Sequence, residues 1–358
     1  MRSRRDVLRD NKTGAGRFGE VRGGSGRVPM GSAFVDGLMR VKRAPWLVVG
    51  LWLSTLLLAL PLSLALHGLI GQHLGDSLAA QAAADGMNFD WWNEFLAQSS
   101  GVGQTFVPAI LGFAAVLANL AGMADGSGPP APVVWVVAAQ LLVSTFLAGG
   151  VLDRLARDRA IGAGAFFAAC GVYVFRFLRL SVVTLAVYAF LFITVHRWLF
   201  DAVYPRLIDG LTVERTAFVY RLGLYVVFGA LVLLANLVFD YAKVRAVVED
   251  RRSMIGALSA GLRFVRRNLG ATIGLYAINS LAFLAVLLLY YFAAPGAAAN
   301  ALAFAIGQLF IVLRVVIRLQ FAASQTALFQ GRLAHAGYTA RPLAKWPDSP
   351  SAEAIGPA

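Results

Sequence analysis

Long apolar runs separated by short charged ones set the pattern of this chain. A helix that crosses a hydrocarbon core of about 30 Å needs roughly 20 mostly apolar residues, because each adds about 1.5 Å of rise. Six runs meet that length, at 44–67, 133–152, 180–200, 222–239, 269–293 and 301–321. A seventh, 106–124, is interrupted by Pro108, Gly112, Asn119 and Gly122, and reads as a re-entrant or interfacial helix instead. The pattern predicts an all-α, polytopic helical membrane bundle of six transmembrane helices plus that seventh segment.

Composition strengthens this picture. The chain is 58% hydrophobic and only 14% charged, with a mean hydropathy of +0.68, whereas a soluble domain is about a quarter charged. A water-soluble globule and a disordered chain are both excluded. The net charge of +13 then points to loops retained on the cytoplasmic side rather than to nucleic acid.

Charge also fixes the parity of the spans. With six crossings and the N-terminus inside, 26 Lys and Arg fall inside, and only Arg197, Arg206, Arg215 and Arg221 fall outside. A seventh crossing gives 15 against 15, so six is the better count, with both termini cytoplasmic. The segment 68–132 is then external, with five acidic residues and no Lys or Arg.

Residues 1–29 carry eight basic residues and no apolar period, and read as a disordered basic N-terminus. Met30 opens a more structured segment: it is either the true start or the end of a basic tail that touches anionic lipid. From Ser32 a short amphipathic turn carries Phe34, Val35, Leu38 and Val41 on its apolar side, with Arg40, Lys42 and Arg43 as its basic residues. The membrane domain covers 30–330, and 331–358 reads as a disordered tail. A cytoplasmic amphipathic helix is expected within 243–268, capped by Ser253, with Ile255, Leu258, Leu262 and Val265 on one face. Residues 165–177 are expected to lie in the interface in the same way. Gly164, Ala168, Gly171, Gly223 and Gly229 read as small residues for close helix packing. No internal repeat and no separate soluble domain is evident.

Arg314 and Arg318 are the most informative charges, because they lie within the last apolar run and share a helix face. Arg176, Arg179 and Asp240 fall at a similar depth, leaving a positive surplus that would suit an anionic lipid headgroup. The plainer reading is that each arginine snorkels to the interface and Asp240 neutralises one of them. Arg263 and Arg267 extend the basic set onto the amphipathic helix. Asn279, Ser280 and Gln308 are polar at mid-depth, and serve either a solute path or interhelical hydrogen bonds. Outside, His67, His73 and Asp76 offer a weak metal spacing, and Asp85, Asp90 and Glu94 form a carboxylate group among tryptophans that fits an interfacial anchor better than acid–base work. The single Cys170 excludes an internal disulfide framework.

The run FDYAKVRAVVEDRRSMIGALSAGLRFVRRN at 239–268 and the opening GLMRVKRAPWLVVGLW from Gly37 resemble a group of bacterial six-span membrane proteins of uncharacterised function. That group is similar to the membrane domain that precedes the catalytic barrel of some glycerophosphodiester phosphodiesterases. The chain has no such barrel, so the resemblance implies a helical, lipid-facing module in a bacterial inner membrane, without hydrolase activity. The expected function is a non-enzymatic module associating with anionic membrane lipid or a membrane partner protein. A transporter of a small solute or lipid is the alternative, and an enzyme the third reading. No cofactor and no nucleic-acid partner is expected.

Overall fold

The computed structural model describes residues 29–75, 77–85, 88–107, 112–126, 131–294 and 301–332. The expectations for 1–28 and for the tail beyond 332 fall outside these residues. Among the described residues all regular structure is helical. The helices are α1 (Met30–Lys42), α2 (Pro45–Leu74), α3 (Ala79–Asp85), α4 (Phe89–Gln98), α5 (Gly112–Ala124), α6 (Ala131–Arg157), α7 (Ala163–Ile208), α8 (Glu214–Val248), α9 (Met254–Arg267), α10 (Leu269–Ala293) and α11 (Ala301–Arg332). Six of them, α2, α6, α7, α8, α10 and α11, are long and apolar enough to cross a membrane. Their outward faces carry large exposed apolar side chains such as Trp46, Leu64, Trp135, Phe175 and Phe292, a surface suited to lipid and not to water. This is a membrane protein.

The helices form three successive units of one build: an amphipathic segment, an outgoing span and a returning span. The units are α1–α2–α6, α7–α8, in which the first turns of α7 serve as the amphipathic segment, and α9–α10–α11. Each amphipathic segment packs on the last helix of another unit, so that α1 lies on α11, α7 on α6 and α9 on α8. Small residues sit at all three crossings. A Cβ added to Gly37 would stand 2.7 Å from Ser324 Cα, one on Gly150 would stand 2.6 Å from Cys170 Sγ, and one on Gly261 would stand 3.0 Å from Ala242 N.

Each amphipathic segment then ties to the returning helix of its own unit, again at matching places. Arg40 Nη1 donates to Leu155 O at 3.0 Å, Tyr173 Oη donates to Val247 O at 3.5 Å, and the Phe264 ring lies 5.0 Å from Phe329. Three residues on, Arg43 pairs with Asp158 at 2.7 Å and Arg176 with Asp250 at 2.6 Å. Asp158 and Asp250 both take the left-handed backbone, with φ of 47° and 46°, a conformation that Asp tolerates better than most residues. The third unit has Arg267 and Arg332 at those two places. The chain therefore contains an internal threefold repeat, which corrects the sequence expectation. The repeat escapes a reading by residue type because the matching contacts are made by dissimilar side chains. In addition, 56 residues separate the two spans of the first unit, against a few in the others.

Three further expectations are corrected by this packing. Residues 165–177 are not a separate interfacial helix but the start of α7, which runs unbroken to Ile208 through π-helical turns at Phe190–His196 and Trp198–Val203. Gly164, Gly171, Gly223 and Gly229 face open space, whereas close approaches to other helices fall at Gly37, Gly149, Gly150, Gly261 and Gly274. In α1, Arg40 is buried while Val35 and Leu38 are exposed. Its guanidinium is satisfied by Asp36, Leu155 O and Gln330, so charge does not keep it out.

Ser253 caps α9 as expected, its Oγ accepting from Gly256 N–H. The buried face of α9 is however Met254, Ala257, Ala260, Gly261, Phe264 and Val265, with Ile255 and Leu262 turned outward. Helix-against-helix packing selects the smaller residues, because only they admit the α8 backbone.

The main core lies at this collar of amphipathic segments and includes Leu152, Phe177, Leu237, Tyr241, Val244, Leu275 and Leu328. Away from the collar there are only smaller clusters, one between α7 and α8 around Leu224 and Phe228, another between α10 and α11 around Tyr290 and Phe310. Within α2 no residue is buried. The spans are thus clamped at one end and looser beyond it. At the loose end α5, with 13 residues, reaches only about 20 Å and is too short to cross. Its Phe113 ring lies 5.1 Å from Tyr291 of α10. At its other end Ala124 O lies 2.7 Å from His196 Nε2, and Asp125 accepts from Tyr225 Oη at 3.1 Å. The described helical part of the seventh run, α5, is a crossbar joining α10 to the α7–α8 pair.

Candidate functional site

Where the clamped spans begin to separate they leave a half-open cavity of about 880 Å³ between α2, α6, α8, α10 and α11. Matching positions of the three returning helices meet there. Ala148, Asp240 and Ala322 line it from α6, α8 and α11, as do Val151, Lys243 and Gln325.

Its charged lining is Arg314, Arg318, Lys243 and Asp240, a surplus of two positive charges. Asp240 accepts from Lys243 Nζ at 3.5 Å and from Gln325 Nε2 at 3.3 Å, so its carboxylate is held by lysine and not by an arginine. The Arg314 guanidinium lies over the Phe310 ring, 5.7 Å from its centre. Neither Arg314 nor Arg318 donates a hydrogen bond or forms a salt bridge among the described residues. Both side chains are exposed to the cavity space. By helix rise, Arg314 stands about 20 Å from Ala301 and about 10 Å from Phe321, where the apolar run ends, with Arg318 one turn nearer that end. Two like charges one turn apart on such a helix repel, and unpaired charge inside a span is costly enough to mark function by default.

The repeat adds an internal control. The positions matching Arg314 are Gln140 and Val232, and those matching Arg318 are Ser144 and Asn236. Two units build the same returning helix without arginine, so the fold does not require either guanidinium. Arg176, in contrast, occupies a repeated position and bonds Asp250 and the Arg251 carbonyl, which makes it a structural tie.

The remaining lining includes Gln140 and Tyr276, three hydroxyl residues and an apolar wall. Ser54, Thr55 and Ser144 each donate to a carbonyl of their own helix, so they meet the cavity with lone pairs. Leu58, Val136, Val137, Phe283 and Ile311 form an apolar wall on the side away from the collar. The site is amphipathic, basic along α11 and apolar beyond.

Of the residues singled out from sequence, Arg314, Arg318 and Asp240 come together here. Arg179 is exposed on α7 and does not line the cavity, and Arg263 and Arg267 are exposed on α9. Asn279 is buried and donates to Leu275 O and Ser324 Oγ, while Gln308 accepts from Trp52 Nε1 at 3.0 Å. Both serve interhelical or local hydrogen bonds. Asp90 and Glu94 are exposed on α4, and the side chain of Asp85 lies outside the described residues. His73 accepts from Trp91 Nε1 at 3.0 Å within an aromatic cluster with Phe95 and Phe106. Among the described residues no three His, Cys, Asp or Glu side chains gather as a metal site, and Asp76 falls outside them. Sequence reading missed Lys243 and Gln325. Both sit four or more residues past the apolar run, at the spacing that a repeat alignment would have matched.

At the turn between α8 and α9, burial favours the neutral form of Glu249. Hydrogen bonds from Arg251 and Arg245 at 2.6 and 2.8 Å outweigh it and hold the carboxyl below its ordinary value. This network fixes the collar beneath the cavity. No family model, curated protein or solved structure matches the chain.

Proposed function

We propose that this protein is a non-enzymatic integral membrane module that holds an anionic lipid headgroup in the cavity between α2, α6, α8, α10 and α11. The observation that carries this reading is that Arg314 and Arg318, which make no hydrogen bond or salt bridge among the described residues, line an amphipathic cavity of about 880 Å³. A headgroup on the α11 wall would relieve their repulsion, and its chains would lie on the apolar wall. Under the same reading the basic collar faces the cytoplasm of a bacterial inner membrane, because the Lys and Arg of α1, α9 and the α6–α7 and α8–α9 turns all lie on that side. The outward basic face of α9, with Arg263 and Arg267, adds attraction to anionic lipid or to an acidic membrane partner.

Native mass spectrometry of protein extracted from its membrane tests the proposal. The wild type retains anionic lipid, and Arg314→Gln with Arg318→Gln loses it; equal retention would refute the assignment. The cavity also favours a second reading, a carrier for a small anionic solute or lipid. Uptake into vesicles that falls with Arg318→Gln would select it.

A further inference from the structure

The charge balance of the cavity narrows the ligand further, on the assumption that the anionic-lipid reading is correct. We infer that the site takes a phosphomonoester dianion rather than a singly charged phosphodiester. Three cations face one carboxylate, so a ligand of charge −2 brings the cavity to neutrality. A ligand of charge −1 leaves one guanidinium uncompensated at a depth where charge is costly. The donors fit the same ligand. Arg314 and Arg318 are one helical turn apart on one face, and each presents a planar fork of N–H groups that matches phosphate oxygens in pairs. A monoester offers three free oxygens to two such forks, whereas a diester offers two.

Gln140 and Tyr276 also line the cavity. The hydroxyls of Ser54, Thr55 and Ser144 are committed as donors to backbone carbonyls, so they add nothing to anion binding. Their lone pairs are available to hydroxyl groups on the ligand. At each charged position the other two units carry an uncharged residue, so the packing of the repeat does not by itself require the charge. Phosphomonoester chemistry reaches such a site on a lipid or on a soluble ester. The apolar wall of Leu58, Val136, Val137 and Ile311 favours the lipid.

The full-length protein, purified in a neutral detergent, is titrated with dioleoyl phosphatidate, dioleoyl phosphatidylglycerol and glycerol phosphate, and binding is read by thermal shift and microscale thermophoresis. Phosphatidate is expected to bind roughly tenfold or more tighter than phosphatidylglycerol, as one uncompensated charge in a partly buried site would give. Equal affinity for the two lipids overturns the monoester assignment and leaves the anionic-lipid reading standing. Binding of neither lipid overturns both. Glycerol phosphate binding as tightly as phosphatidate supports the dianion site with a soluble source, and weaker binding supports the lipid source. Arg318→Gln should abolish the preference for phosphatidate. Asp240→Asn raises the surplus by one charge and should tighten phosphatidate binding by roughly tenfold. Such a gain cannot come from misfolding, and unchanged or weaker binding in a folded Asp240→Asn protein counts against the charge argument.

Discussion

Replacing Gly37 with alanine tests whether the collar is held by the close crossing of α1 on α11. The new Cβ would stand 2.7 Å from both Ser324 N and Ser324 Cα. Those are backbone atoms in mid-helix and cannot rotate away. Restoring ordinary contact at 3.4 Å requires α1 to retreat by about 0.7 Å, a large shift for a close-packed interface. The hydrogen bond from Gln320 Nε2 to Phe34 O, now 2.8 Å, would lengthen to about 3.5 Å and lie at the edge of useful geometry. Overpacking costs about 1–3 kcal/mol and a lost hydrogen bond about 1 kcal/mol, so α1 should lose roughly 2–4 kcal/mol of docking energy. Hydrogen exchange of the amides at 33–41 in lipid nanodiscs measures this directly. A loss of 2 kcal/mol raises exchange by roughly 30-fold, since each 1.4 kcal/mol is a factor of ten. The same substitution at Gly31, which has open space around it, should leave exchange unchanged or slower. Exchange in Gly37→Ala within twofold of the wild type would refute the crossing as the clamp.

Other outcomes follow from the same geometry. Asn279→Ala removes the buried bond to Ser324 and should cost about 0.6–1.7 kcal/mol, the range measured for such interhelical bonds, while lipid retention stays at the wild-type level; loss of retention would place Asn279 in the site. Because the Glu249 carboxyl is held below its ordinary 4.5, its pairing stabilises the collar above that pH and is lost as the pH falls through the depressed folded value. Thermal unfolding from pH 7 to 3 should therefore show a wild-type advantage over Glu249→Gln that shrinks below pH 4.5; a constant difference would contradict the assignment. Arg263→Gln with Arg267→Gln should weaken attraction to anionic lipid by about 1 kcal/mol per charge, read as reduced energy transfer from a dye at Ile255→Cys to labelled anionic lipid.

The six spans are legible in the sequence because length and apolarity pick them out, and each predicted run lies inside an observed helix except for Ala44, which caps α2. The run that contains α5 is long enough to be a candidate, and the balance of Lys and Arg, with its Pro, Asn and Gly, reads it as non-spanning. The collar is not legible in this way. Arg40 looks like a surface residue by type, yet its guanidinium is satisfied by Asp36, Leu155 O and Gln330, partners that only tertiary packing supplies. Gly37 and Gly261 look no different from Gly164 or Gly171 until a neighbouring backbone is present. The repeat is hidden because Arg40, Tyr173 and Phe264 do matching work with unlike side chains.

Arg314, Arg318 and Asp240 were visible as charges in apolar runs. Lys243 answers Asp240 from three residues along the same helix, a pairing open to sequence reading once Asp240 is placed. The positive surplus is expected from the sequence as well; its value of two follows from which charges line the cavity.

The most direct test of the central claim is a cryo-electron microscopy map of the protein in nanodiscs that contain anionic lipid. The account predicts headgroup density between the guanidinium groups of Arg314 and Arg318, with chain density along Leu58, Val136 and Ile311. A well-resolved cavity without that density, with both arginines turned to the membrane interface, would contradict it.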